Sequence, residues 1–170
     1  MSDAPSTIPQ PQLRPPRHPI ESNVLWWWML QALAIHIPVL LGVLAAVLWW
    51  PAARPWTFIA LLLVACSTVV SVVVEPMIRR KVHRWEVTDQ AVYSRTGWWT
   101  VEWRVAPISR IQTVDAVRGP LEQALGLSTL RVTTASSRGA IDIVGLDHEV
   151  AARVAERLAA VTERTPGDAT

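Results

Sequence analysis

The residues best suited to chemistry are the few polar ones set inside apolar sequence. His36 lies in the run VLWWWMLQALAIHIPVLLGVLAAVLWW (24–50), after Gln31 and before Pro38, and a second run, WTFIALLLVACSTVVSVVV (56–74), holds Ser67, Thr68 and Ser71. An ionisable group this deep in apolar sequence is by default a functional group, here a proton or ion relay. Neither run supplies an acidic or basic partner for it. A neutral imidazole can instead hydrogen-bond a hydroxyl of the other run, and this packing role is the preferred reading. Gly42 with Ala46, and Ser67 with Ser71, have the small-x-x-x-small spacing that lets backbones approach closely. Pairing of the two runs within one chain accounts for it; a homo-oligomer or a partner span is the sharper alternative.

Elsewhere reactive residue types occur without the spacing that reactions need. Ser136 and Ser137 fall in the turn-like SSRG, His83 and His148 have no Cys or carboxylate set at metal-ligand spacing, and no glycine-rich loop follows a strand. The expectation is a non-enzymatic protein with no catalytic residue, cofactor or metal. Two clusters remain. Arg79, Arg80, Lys81 and Arg84 follow the second run; near an anionic leaflet each contributes about 1 kcal/mol, which makes them lipid-headgroup candidates, although their ordinary role is to set topology. Trp98 and Trp99 sit at a hairpin tip, where they either fold into a small core or dip into a bilayer interface.

The elements that must position these groups follow from the apolar pattern. From Trp28 to Trp49 is 21 steps, which at about 1.5 Å per residue spans roughly 32 Å, close to the hydrocarbon thickness of a bilayer. Tryptophans at both ends suit its two interfaces, and no small-residue cleavage site follows, so the run reads as a retained span and not a signal peptide. The connector PAARP is short, so the second run pairs with the first as an antiparallel hairpin. Arg14 and Arg17 precede the hairpin, the four-residue basic cluster follows it, and Arg54 alone lies between. That distribution places both ends in the cytoplasm, with the protein in the inner membrane. Residues 1–22, rich in proline, read as a disordered tail, 77–84 as a basic juxtamembrane linker, 85–163 as a folded domain and 164–170 as a second disordered tail.

The folded domain reads as mostly β. Six short candidate strands, WEVT (85–88), AVYSRT (91–96), TVEWRV (100–105), IQTVDAV (111–117), TLRVTT (129–134) and AIDIV (140–144), alternate with turn signals. In TVEWRV, Val101, Trp103 and Val105 share one face and Thr100, Glu102 and Arg104 the other, the period of a half-buried strand. GPLEQALG predicts a short helix opened by Pro120 and stopped by Gly126. DHEVAARVAERLAAVTER predicts a longer one, capped by Asp147, whose stripe Val150, Val154, Leu158 and Val161 must cover the sheet. From Trp85 onward nine Arg stand against eleven Asp and Glu. That acidic balance argues against a nucleic-acid partner.

The segment PISRIQTVDAVRGPLEQALGLSTLRVTTA followed by IDIVGLD resembles bacterial pleckstrin-homology-like (PH-like) domains of YdbS-like membrane proteins. Gly119, Pro120, Leu121, Leu125, Gly126 and Leu127, then Gly145 and Leu146, carry the resemblance, together with the two preceding spans, over roughly residues 24–162. It implies a bent antiparallel sheet with a C-terminal helix packed across it. Eukaryotic PH domains have seven strands against the six found here, the seventh being missing or hidden within 85–100. Their basic first hairpin is also absent, so phosphoinositide binding does not carry over. The preferred function is an interaction module for a protein partner or a second copy, with membrane lipids as the other partner. An anionic-lipid-contacting module and a small transport, export or resistance component are the alternatives.

Overall fold

The structure is a computed structural model that describes residues 16–135 and 139–164. The proline-rich residues 1–15, residues 136–138 with the turn-like Ser136 and Ser137, and residues 165–170 lie outside the described residues. Two long helices lead. The first, α1 (Val24–Trp49), contains Pro38, which is tolerated in a span. A 3₁₀ turn (Pro51–Ala53) reverses the chain. The second helix is longer than its apolar run predicts: α2 (Arg54–Val69) passes through a π turn (Val70–Val74) into α3 (Glu75–Val82) as one continuous helix. The basic segment expected as a linker is therefore largely helical. Large apolar side chains cover the outside of the pair, with Leu41 and Leu62 more than half exposed, and Trp49, Trp50 and Trp56 ring its far end. Such a surface suits lipid.

Among the described residues seven strands, one before the helices and six after them, form two sheets. The first has the order β1 (His18–Pro19), β2 (Arg84–Val87), β3 (Ala91–Gly97), β4 (Val101–Pro107), and the second β5 (Ile111–Val117), β6 (Leu127–Thr134), β7 (Ile141–Asp147), all neighbours antiparallel. The seventh strand does not hide in 85–100. The strand beyond the six expected is β1, ahead of α1 in residues expected to be a disordered tail: His18 and Pro19 pair with Trp85 and Arg84, and Ile20 is buried. Flanking prolines concealed a pair too short to have a period.

Helix α5 (His148–Arg164) lies across the second sheet and runs one residue past the expected end of the domain. Asp147 caps it, its Oδ1 accepting the Glu149 and Val150 amides at 2.9 and 3.3 Å. Leu158 and Ala151 are fully buried among Val92, Leu130, Val132 and Ile143, with Val150, Val154 and Val161 packed against them. The alternation of β4 misleads, however. Val101 and Trp103 are exposed, and Ala106 is the buried residue of the strand. Trp103 instead lies beneath Arg95, whose guanidinium carbon is 5.2 Å from its ring centre. A cation over an indole face shelters the ring without a core.

Candidate functional site

The helices and the sheets interlock. Ile20, Val24, Trp28 and Leu127 form a second buried cluster, with Trp85, Leu125 and Val144 against it. Val24 is wholly buried over Gly145, where a β-carbon would lie 2.5 Å from Val24 Cγ2. Gly145 has φ +72°, and its carbonyl accepts the Glu21 amide at 2.9 Å. Only glycine meets both demands, the left-handed backbone and the missing side chain. Asn23 Nδ2 donates to the Leu125 carbonyl at 3.3 Å, and the His148 amide to that of Gly126 at 3.1 Å. The residues that carried the PH-like resemblance thus hold the first turn of the membrane helix.

A buried carboxylate sets that motif. Pro120 opens α4 (Pro120–Ala124), and Glu122 accepts the Gly119 amide at 2.6 Å and the Thr129 hydroxyl at 2.7 Å. Glu122, three positions after the N-cap, supplies one half of a capping box; Gly119 has no side chain to supply the other. Of the residues that carry the resemblance, Leu121 is exposed, while Leu146 is core.

The basic cluster divides. Arg79 turns inward along α3: its guanidinium pairs with Glu75 at 2.5 Å and lies 5.5 Å from the Trp28 ring centre. His83 meets the same ring edge-on at 5.2 Å, and its Nδ1 lies 2.8 Å from the Arg79 carbonyl. Burial pushes the His83 imidazole below its ordinary value, with the Arg79 charge acting in the same direction and the bond to the Arg79 carbonyl opposing. Arg80, Lys81 and Arg84 turn the other way. They line a cleft of about 300 Å³ with Pro19, Leu25 and Met77, and none of the three has an ion pair among the described residues.

Within the helix pair, His36 Nε2 lies 3.4 Å from Ser67 Oγ, while Nδ1 is held 2.8 Å from the Ala32 carbonyl. Gln31, His36, Ser71, Glu75 and Arg79 line a separate cleft of about 220 Å³ beside the π turn. Glu75 is the acidic group that the apolar run itself lacked. Gly42 contributes no close approach, since nothing lies within 4 Å of its would-be β-carbon; the expected use of that small residue in pairing the two spans is not found. The free thiol of Cys66 is exposed on the outer face.

Trp98 and Trp99 are not core. Trp98 is half-buried, Trp99 is 86% exposed, and their rings meet edge-on at 6.0 Å. Because Arg95 pairs with Arg84, the β3–β4 tip projects beyond the start of β2, at the helix-bearing end of the sheet. Among the described residues no group of His, Cys, Asp and Glu is arranged to hold a metal.

Comparison with known proteins agrees with this architecture. A family model described as "Bacterial PH domain" matches residues 24–162, helices included. The UPF0699 transmembrane protein YdbS of Bacillus subtilis (strain 168) is 30% identical over 156 residues, which cover 87% of this chain and 96% of the relative. No solved structure matches. With the paired apolar helices, the antiparallel sheets and the long stretch of shared sequence, the chain belongs to the bacterial PH domain family as a transmembrane member.

Proposed function

We propose that this protein is a non-enzymatic interaction module of the inner membrane, with its PH-like domain in the cytoplasm offering a sheet edge to a protein partner or to a second copy. The observation behind this reading is the interlocked junction of Val24 with Gly145. A domain joined in this way presents its edges in one orientation to the bilayer. Confinement to a surface raises effective concentration, so weak contacts suffice. Strand β4 ends its sheet; its first half carries exposed Val101 and Trp103 while Arg104 donates to the Ala140 carbonyl at 3.1 Å beside the second sheet, and the exposed stretch of such an edge is a template for pairing with another chain. The test places one cysteine at position 102 (Glu102→Cys, with Cys66→Ser) and crosslinks it in native membranes. A discrete adduct with one partner, or a dimer, is the expected result. A chain that stays monomeric and unlinked, or a reporter after Thr170 that works only outside the cell, ends the proposal.

A second reading has its own support in the tryptophan tip. Trp99 is exposed at the helix-bearing end of the sheet, where an indole pair suits the membrane–water interface, with the basic cluster beside the helices to favour anionic lipid. A spin label at position 99 (Trp99→Cys, with Cys66→Ser) should relax faster with oxygen than with a water-soluble nickel complex. The reverse order places the tip in water and removes this reading.

A further inference from the structure

We infer that the cleft between the first turn of α1, helix α3 and the β1–β2 pair binds the head group of an anionic phospholipid. The inference rests on the lipid-contacting reading above and narrows it to one place. Three cations, Arg80, Lys81 and Arg84, converge on this cleft from two elements, and no carboxylate lines it. The same stretch supplies Arg79 as an internal contrast. Arg79 has Glu75 beside it and a tryptophan beneath it, so its charge is already used within the fold. The other three keep theirs for a ligand. Two guanidinium groups present planar forks matched to phosphate oxygens, and the ammonium adds a point charge.

The remainder of the lining gives the ligand its second property. Pro19, Leu25 and Met77 are apolar, and Met77 is 57% exposed. Leu25 lies one turn outside Trp28, and Met77 one turn outside Val74, where the two apolar runs end. That is the depth at which a lipid's glycerol and first methylenes meet its phosphate. A volume of about 300 Å³ sits at the lower end of ligand sites, enough for a head group with the chains left in the bilayer. A free anion would have no use for the apolar wall. The cationic part of a zwitterionic head group would meet three like charges.

The experiment uses the full chain in detergent, with native mass spectrometry reading the retention of phosphatidylglycerol against phosphatidylcholine of the same chain length. Surface cations discounted for screening predict a preference on the order of tenfold. Replacing Arg80, Lys81 and Arg84 together by Gln should bring the ratio near one, and Arg79→Gln should leave it unchanged. Met77→Trp keeps every charge but fills the apolar wall, and it too should abolish the preference; this variant decides the matter if the triple variant does not fold. Excess inorganic phosphate should displace nothing. No preference in the unaltered chain overturns both the cleft and the lipid reading. Loss in the triple variant with full retention in Met77→Trp overturns the cleft alone, leaving diffuse charge attraction. Displacement by inorganic phosphate overturns the lipid assignment.

Discussion

Trp28 and Trp99 each stand next to another tryptophan, and each lies at the end of the sheet where the helices join. One is 7% exposed and the other 86%. Trp28 is enclosed because Val24, one turn earlier, is locked over Gly145, which brings Arg79 and His83 against the indole from the second helix. Trp99 meets Trp98 edge-on at an exposed turn. Residue type did not decide their environments. The nearest backbone interlock did, so one tryptophan became part of the scaffold and the other remained available to a partner.

The difference can be broken most severely at the interlock. Gly145→Ala combines a strained positive φ with a side chain pressed on Val24, and should destabilise the chain by about 3 kcal/mol in denaturant melts. Adding Val24→Ala removes the 2.5 Å contact with Cγ2 but leaves the 2.9 Å contact with Cβ and the backbone strain, so only part of the loss should return; no recovery would mean that the two residues do not interlock. Glu122→Leu leaves the Gly119 amide and the Thr129 hydroxyl without their acceptor beneath the same junction, at a cost of about 2 kcal/mol. Thermal melts of Glu122→Leu against the unaltered chain check this, and an unchanged midpoint would show the carboxylate to be dispensable.

The His83 effect is smaller and depends on pH. Its folded-state value lies below the ordinary 6.5, so above 6.5 the ring is neutral in both states and its contribution to stability is complete. As pH falls below 6.5 the unfolded chain takes up the proton first, and stability declines until the folded ring also protonates. Melting points measured downward from neutral pH should show this decline, and His83→Phe, which keeps the ring against Trp28, should flatten it. The smallest effect belongs to the tip: replacing Trp98 and Trp99 by Ser should move stability by less than about 0.5 kcal/mol. A large loss in the same melt would show that the tip is scaffold after all.

Much of the architecture was legible in the sequence because it rests on repetition. Apolar runs long enough for a bilayer, short strand-like segments set between turn signals and a stripe in α5 each state the same preference many times over. The features that escaped are single events. A two-residue strand at His18–Pro19 has no period, and Glu75 lies one position beyond an apolar run, outside the stretch whose composition marks the span. Trp103 alternates correctly yet is sheltered by Arg95 rather than by a core. The basic cluster was readable as a cluster, but its division was not: Arg79 and Arg80 are adjacent in sequence and point to different sides of one helix.

By itself the sequence determined the parts: two helices too apolar for water, a mostly β domain behind them, and the family to which both belong. These follow from the solvation of side chains, which depends on local composition and periodicity. Only the tertiary structure decided that the domain is bolted to the helices, that a carboxylate braces the motif beneath the bolt, and that three cations converge on a cleft while a fourth is consumed inside. Those outcomes depend on distances between residues far apart in the chain, as Val24 and Gly145 are, and no local preference encodes them.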